Sequence, residues 1–224
     1  MKSPGFFKNR EDAAEQLAER LQEYRGRNPL ILAIPRGAVP MGKIIAERLQ
    51  GELDVVLVHK LGAPFDPEFA IGAIDESGRT YLSPVLEESE EAGRLIEKIK
   101  IRQLAELKER RAQYTPFAPP IDPRDRIAII VDDGLATGAT MIAALRAIRD
   151  KKPAQLVCAV PVAASDSLEK IRPLADEVIC LYASMHFGAV SQYYERFHAV
   201  EDEEVIQILA ATTASHRNER KLPP

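Results

Sequence analysis

The sequence predicts an α/β fold: a doubly wound, mostly parallel central sheet that carries a hairpin flexible loop and a small C-terminal hood. Three observations lead there. Short apolar runs recur at 30–34, 53–59, 127–131, 155–160 and 177–181. Helical patterns separate most of them, the order that gives parallel strands joined by right-handed crossovers. The chain has 224 residues and is 46% apolar, enough for one good core with a small appendage.

Taken in order, residues 9–25 read as a helix, with Ala13, Ala14, Leu17, Ala18, Leu21 and Tyr24 on one face. Asn9, with Asp12 three residues on, suits its start, and Gly26 its end. Leu30 to Ile34 is a first strand. Pro35-Arg36-Gly37-Ala38 breaks it, and Pro40 to Leu49 reads as the next helix. Leu53 to His59 is a second strand, β-branched at Val55, Val56 and Val58 as a covered sheet requires.

Residues 60–82 change character. Gly62, Pro64 and Pro67 punctuate a loop, and 70–74 with 79–82 form a hairpin around Asp75-Glu76-Ser77-Gly78. Ser83-Pro84 suits a helix start, and a highly charged run follows to Tyr114. Its stripe of Leu95, Ile96, Ile99, Leu104 and Leu107 fits a partly solvated scaffold helix on the outside of the sheet. Four prolines between Thr115 and Pro123 make a stiff connector.

Beyond it the reading is strand 127–131, helix 139–149, strand 155–160, helix 165–171, strand 177–181 and helix 202–212. The residues from His216 onward should fray. The chain is expected to form one domain over 1–224. It includes the hairpin 60–82, the charged helical insertion 84–114 and a hood and C-terminal segment at 182–215.

Composition excludes several functions. A formal net charge of −4 gives no support for nucleic-acid binding. Charged residues follow Phe6-Phe7 at once, and no stretch approaches the ~20 apolar residues of a membrane span. Cys158 and Cys180 lie in apolar runs without metal-ligand spacing, as expected of buried thiols in a reducing compartment. A cytoplasmic protein is the expectation.

Chemistry concentrates where strand 127–131 ends. Ile129-Ile130-Val131 leads into Asp132-Asp133, then a loop of small residues and threonines, then a helix. Adjacent carboxylates point apart in extended backbone, but at a strand end they can diverge around one ligand. Carboxylates only accept hydrogen bonds, so the pair suits a vicinal diol, and Mg²⁺ prefers such oxygens. A helix-start cap beside a solvated turn residue is the plainer alternative. Ala136-Thr137-Gly138-Ala139-Thr140 adds converging main-chain N–H groups at a helix start, a phosphate site. The loop lacks the lysine of GxxxxGK[ST], and no GxGxxG follows the first strand, so neither a P-loop nor a dinucleotide site is expected.

Together the apolar strand, the acid pair and the TG step of Val131–Thr140 resemble the signature of type I phosphoribosyltransferases. The similarity extends over most of residues 12–200. The resemblance implies that Asp132 and Asp133 hold the ribose hydroxyls of phosphoribosyl pyrophosphate (PRPP) and bind Mg²⁺. It implies that Ala136, Thr137, Gly138, Ala139 and Thr140 hold the 5′-phosphate. Arg36 and Gly37 match the pyrophosphate loop, where family members often carry a cis peptide, here Pro35–Arg36. The hairpin 60–82 matches the family's flexible flap, and Lys60 is placed to reach pyrophosphate or its metal.

Arg36, Lys60, Asp132 and Asp133 are the expected catalytic set. In the hood, Phe187 is the candidate to stack on the base, with Tyr193, Tyr194 and His186 nearby; His59 is a weaker candidate. One departure bears on the substrate: hypoxanthine-guanine members generally have aspartate where Ala136 stands. The implied activity is transfer of a phosphoribosyl group from PRPP to a nitrogenous base with loss of pyrophosphate. The alternatives are a non-catalytic PRPP-binding regulator and a sugar-phosphate kinase or isomerase. Expected partners are PRPP and a base, with a homodimer as the assembly to test and neither nucleic acid nor membrane.

Overall fold

A computed structural model describes residues 6–63, 66–82, 90–116 and 120–219. Its core is a five-stranded sheet of β1 (Leu30–Ala33), β2 (Glu52–Val55), β6 (Ile127–Val131), β7 (Gln155–Ala164) and β8 (Glu177–Ser184). Their spatial order is β2-β1-β6-β7-β8, and every neighbouring pair is parallel. A smaller antiparallel sheet joins β3 (Val58–Ala63), β4 (Asp66–Asp75) and β5 (Thr80–Leu82).

Side chains alternate across the large sheet, and both faces are buried. Ile31, Ala33, Ile129, Val131, Val157 and Ala159 face one core with α1 (Arg10–Arg20), α2 (Ala38–Leu49) and α6 (Asp202–Glu219). Leu30, Leu32, Ala128, Ile130, Leu156 and Cys158 face the other with α4 (Ala139–Arg149) and α5 (Ser165–Ile171). This two-sided burial explains why the strands read as unbroken apolar runs. It also makes the sheet doubly wound, as the sequence predicts.

Several expected boundaries move. The helix of 9–25 becomes α1 plus a separate 3-10 turn, Gln22–Tyr24, although Asn9 does cap it through Asp12 N–H at 3.0 Å. Helix α2 starts at Ala38 rather than Pro40, because proline is tolerated in a first turn, where its missing N–H has no partner to lose. The single strand of 53–59 is two strands. After β2 the chain leaves the parallel sheet, and Val58 pairs instead with Asp75.

Strand β7 runs on to Ala164 because Leu135 continues its ladder, donating to Val162 and accepting from Ala164, each at 2.9 Å. Strand β8 extends to Ser184 along it. Helix α6 continues through Glu219, past the expected fraying point at His216. The hairpin is present, with a third strand added. The expected helix start at Ser83-Pro84 lies outside the described residues; α3 (Glu90–Tyr114) is described from Glu90. Helix α3 packs on β3, β4 and α6, and its Arg111 reaches Asp54 and Val55 of β2 at the edge of the large sheet.

Candidate active site

The strand order reverses between β1 and β6, since β2 continues outward from one and β7 from the other. In open α/β sheets the loops leaving such a pair diverge and open a crevice at the carboxyl ends. The loops here are 34–37 and 132–138. They start in register, with Ile34 N–H donating to the Val131 carbonyl at 3.0 Å.

Asp133 is gripped by a residue from the start of α1. Arg10 donates to Asp133 Oδ2 through Nε at 2.9 Å and Nη2 at 2.8 Å. Its Nη1 donates to the His198 carbonyl at 2.6 Å, and its guanidinium lies 3.8 Å over the Phe197 ring. Tyr194 Oη donates to the Asp133 carbonyl at 2.7 Å. Among the described residues no cation pairs with Asp132, whose Oδ1 accepts the Asp133 N–H at 2.8 Å. Burial raises both carboxyls above their ordinary value. At Asp132 the neighbouring Asp133 charge adds to the rise; at Asp133 the Arg10 hydrogen bonds oppose it. Asp132 is therefore the acid pushed further up, and the one with the greater need of a cation or donor.

Gly37 sets the closeness of the two loops. Its backbone is right-handed, φ −57° and ψ −30°, so no unusual torsion requires glycine. The requirement is space: a Cβ there would clash with Asp133 Oδ2 and lie 3.1 Å from Arg10 Nη2. The expected reason for Gly37, approach to an anion, is thus joined by approach to Asp133.

The turn after the acids is open. Ala136, Thr137 and Thr140 are exposed, while Gly138 is buried over Ser167 and Ile171. Gly138 has φ +75°, a left-handed conformation that favours glycine, and it is the residue before α4. Gly138 offers no capping side chain, and Ala139 N–H, the first of α4, donates to Thr137 Oγ1 at 3.4 Å. As at any helix start, the first-turn N–H groups have no partner within the helix, which suits an anion cradle. Ser167, fully buried in α5, donates to the Ala136 carbonyl at 2.7 Å and braces the turn from below.

Arg36 is exposed. Its Nη1 faces the start of α6, 3.3 Å from Asp202 Oδ2 and 3.7 Å from Glu201 Oε2. The Pro35–Arg36 peptide is cis. Lys60 does not follow the second strand directly: it lies inside β3, paired with Ala73, and its side chain lies outside the described residues. His59 sits 3.9 Å from Glu106 of α3, and burial holds its pKa below the ordinary imidazole value.

Hood residues divide. Phe187 stacks one face on Tyr193, with centroids 5.0 Å apart, so that face is closed to a base. Tyr193 and Tyr194 are buried, and His186 is exposed. The hood also includes the N-terminal segment. Phe7 pairs with 193–195 through main-chain bonds of 3.0 and 2.9 Å, and Phe6 stacks on Tyr182 at 4.2 Å.

Arg10, Ser167 and Asp202 escape the sequence reading. Arg10 stands in a charged helix start that looks solvated. Ser167 looks like an ordinary helix serine. Each acts on a loop at least 31 positions away, and no local pattern signals that.

A family model for the phosphoribosyl transferase domain matches residues 3–197. Two curated relatives from Mycobacterium tuberculosis, "Putative phosphoribosyl transferase MT0597" and "Putative phosphoribosyl transferase Rv0571c", are each 40% identical over 205 residues. The alignments cover 91% of this chain and 46% of each relative, so the chain spans about half the length of the curated relatives it matches. The crystal structure of TT1426 from Thermus thermophilus superposes with a TM-score of 0.83 at 40% identity, covering 92% of this chain and 98% of that one. The chain belongs to the phosphoribosyl transferase family.

Proposed function

We propose that this member of the phosphoribosyl transferase family transfers the 5-phosphoribosyl group of PRPP to a nitrogenous base and releases pyrophosphate, as in nucleotide salvage. The observation that carries the reading is the exposed turn of small residues and threonines at the start of α4, directly after the paired acids at the switch point of the sheet. One ligand with a phosphate on one side of a ribose diol matches that juxtaposition.

In this reading the amides and hydroxyls of Ala136, Thr137, Gly138, Ala139 and Thr140 hold the 5′-phosphate. Asp132 and Asp133 accept from the ribose hydroxyls and fix the ring. Arg36, with Gly37 beside it, meets the pyrophosphate end, where negative charge grows as the bond to the anomeric carbon breaks. Lys60 adds a second cation there. A preorganised cation aimed at developing charge is the largest lever available to such a site. Phe187 and its aromatic neighbours border the base.

The donor set fits Mg²⁺ in one specific way. Hard carboxylate oxygens are present, and among the described residues Asp132 has a main-chain N–H but no cation on it. Among the described residues no three ligating side chains converge, so Asp132 and Asp133 would share the ion with ligand oxygens and water, the usual Mg²⁺ arrangement. When bound, Mg²⁺ supplies charge neutralisation on the pyrophosphate.

Ala136 is exposed at the turn and brings no carboxylate toward the base. This favours an acceptor other than hypoxanthine or guanine. No described helix is long and apolar enough to cross a membrane. The reading places the protein in the cytoplasm.

The test is an assay with PRPP and Mg²⁺ across a panel of purine, pyrimidine and pyridine bases, following pyrophosphate release and nucleotide formation. Turnover with one base and its loss in Arg36→Ala support the reading. PRPP binding without turnover on any base would replace it with the regulatory alternative. Absence of both would end it.

A further inference from the structure

The long charged helix α3 has no part in the reaction outlined above, yet its last turn reaches the candidate pyrophosphate loop. Tyr114, its final residue, is buried and donates its hydroxyl to Asp202 Oδ1 in a short hydrogen bond. Burial and the Asp202 carboxylate both push the phenol pKa up, so it remains a donor at any working pH. The other oxygen of Asp202 faces Arg36 Nη1 at 3.3 Å. One carboxylate thus bridges the end of the insertion helix and the exposed arginine of the 35–38 loop. One turn earlier, Arg111 anchors α3 to Asp54 and Glu76, so the helix end that carries Tyr114 is itself held in place.

We infer that Asp202 is an internal counter-anion for Arg36, held in position by Tyr114, and that it sets how tightly the pyrophosphate end of the ligand is bound. The inference rests on the proposed function, since it takes Arg36 as the pyrophosphate contact. The physical argument is competition. An unpaired guanidinium would bind a multiply charged phosphate strongly and release it slowly. A carboxylate already on the guanidinium must be displaced, which lowers affinity for substrate and product alike. The pair is half-exposed, with side chains 45% and 43% accessible, so its strength is modest and an anion of higher charge can displace it. Asp202 acts through Arg36 and is a positioning residue.

The experiment is calorimetric titration of the full chain with inorganic pyrophosphate and Mg²⁺ at low ionic strength. It is run on the wild type, Asp202→Asn, Glu201→Gln, Arg36→Ala and the Arg36→Ala/Asp202→Asn double variant. Asparagine keeps an acceptor for Tyr114 and suits a helix start, so the fold should survive; equal melting curves check this. Asp202→Asn should tighten pyrophosphate binding about two- to five-fold, the range expected for an exposed ion pair. Glu201→Gln, at the longer distance, should act in the same direction and less. On the Arg36→Ala background Asp202→Asn should change nothing. In turnover, Asp202→Asn should lower the KM for PRPP without raising kcat.

Unchanged or weaker pyrophosphate binding in Asp202→Asn overturns the inference. So does an equal gain without Arg36, which would mark a general charge effect. In either case, wild-type binding that depends on Arg36 leaves the proposed function standing. A wild type that binds neither pyrophosphate nor PRPP overturns both.

Discussion

Two ionic clusters lie beneath the surface, each made of one arginine and two carboxylates, and their bonds are distributed differently. At the edge of the large sheet Arg111 grips Glu76 with two bonds of 2.6 and 2.7 Å, Asp54 with one of 2.7 Å, and the Val55 carbonyl at 2.9 Å. Asp54 also accepts from Val55 and Ile121 N–H groups at 2.7 and 2.9 Å. Both acids touch the cation there. At the switch point Arg10 bonds one carboxylate, Asp133, and among the described residues Asp132 has the main-chain N–H of Asp133 as its donor. Formal charge is the same in both clusters. The first is closed and ties β2, the β4–β5 turn, α3 and the 120–123 connector together. The second holds one acid with no cation against it among the described residues, beside an exposed turn, the arrangement on which the proposed ligand site rests. The difference teaches that an incomplete set of partners, more than a concentration of charge, marks a site.

The largest expected effect breaks the closed cluster. Arg111→Met should cost about 3–5 kcal/mol, because it leaves two buried carboxylates without their cation. Urea unfolding measures it; a loss under about 1 kcal/mol would show that the cluster is not a tie.

Gly37→Ala tests the open cluster by crowding. The new methyl must displace the Asp133 carboxylate or the loop, costing about 1–3 kcal/mol and weakening PRPP binding. An unaltered melting curve and unaltered PRPP affinity would show slack where the two loops meet.

The smallest effect has the opposite sign. Asp132→Asn should raise the melting temperature without ligand by about 2–4 °C at neutral pH, while weakening binding of PRPP with Mg²⁺. The sign follows from the raised pKa. Above the ordinary carboxylate value the unfolded chain releases this proton while the folded chain retains it, so stability falls as pH rises through that window. The gain in Asp132→Asn should therefore shrink toward about pH 4 and vanish below it. A variant less stable than wild type at neutral pH would show that Asp132 is already satisfied.

Much of the fold was legible in advance. Strand 127–131 and helices 139–149 and 165–171 have the expected ends, since apolar period and turn residues set them locally. The same holds for the open turn, whose small residues and left-handed Gly138 are written in five letters. Less legible were changes of partner inside an apolar run. Residues 53–59 look like one strand because periodicity reports burial and is silent on which neighbour is paired. Phe6-Phe7 gave no sign of joining the hood, because their partners lie more than 170 positions away.

The sequence by itself determined the layered α/β architecture, the acid pair at a strand end and the turn of small residues after it. These depend on interactions within a few residues, which composition and spacing encode directly. Tertiary structure alone decided which charges meet. With 30 lysines and arginines and 34 acidic residues in the chain, any pairing can be imagined from the letters. Only packing selects Arg10 for Asp133, Arg111 for Glu76 and Asp54, and Asp202 for Arg36. An ion pair needs its groups within a few ångströms, and that proximity is a property of the folded chain, set by how helices dock on the sheet.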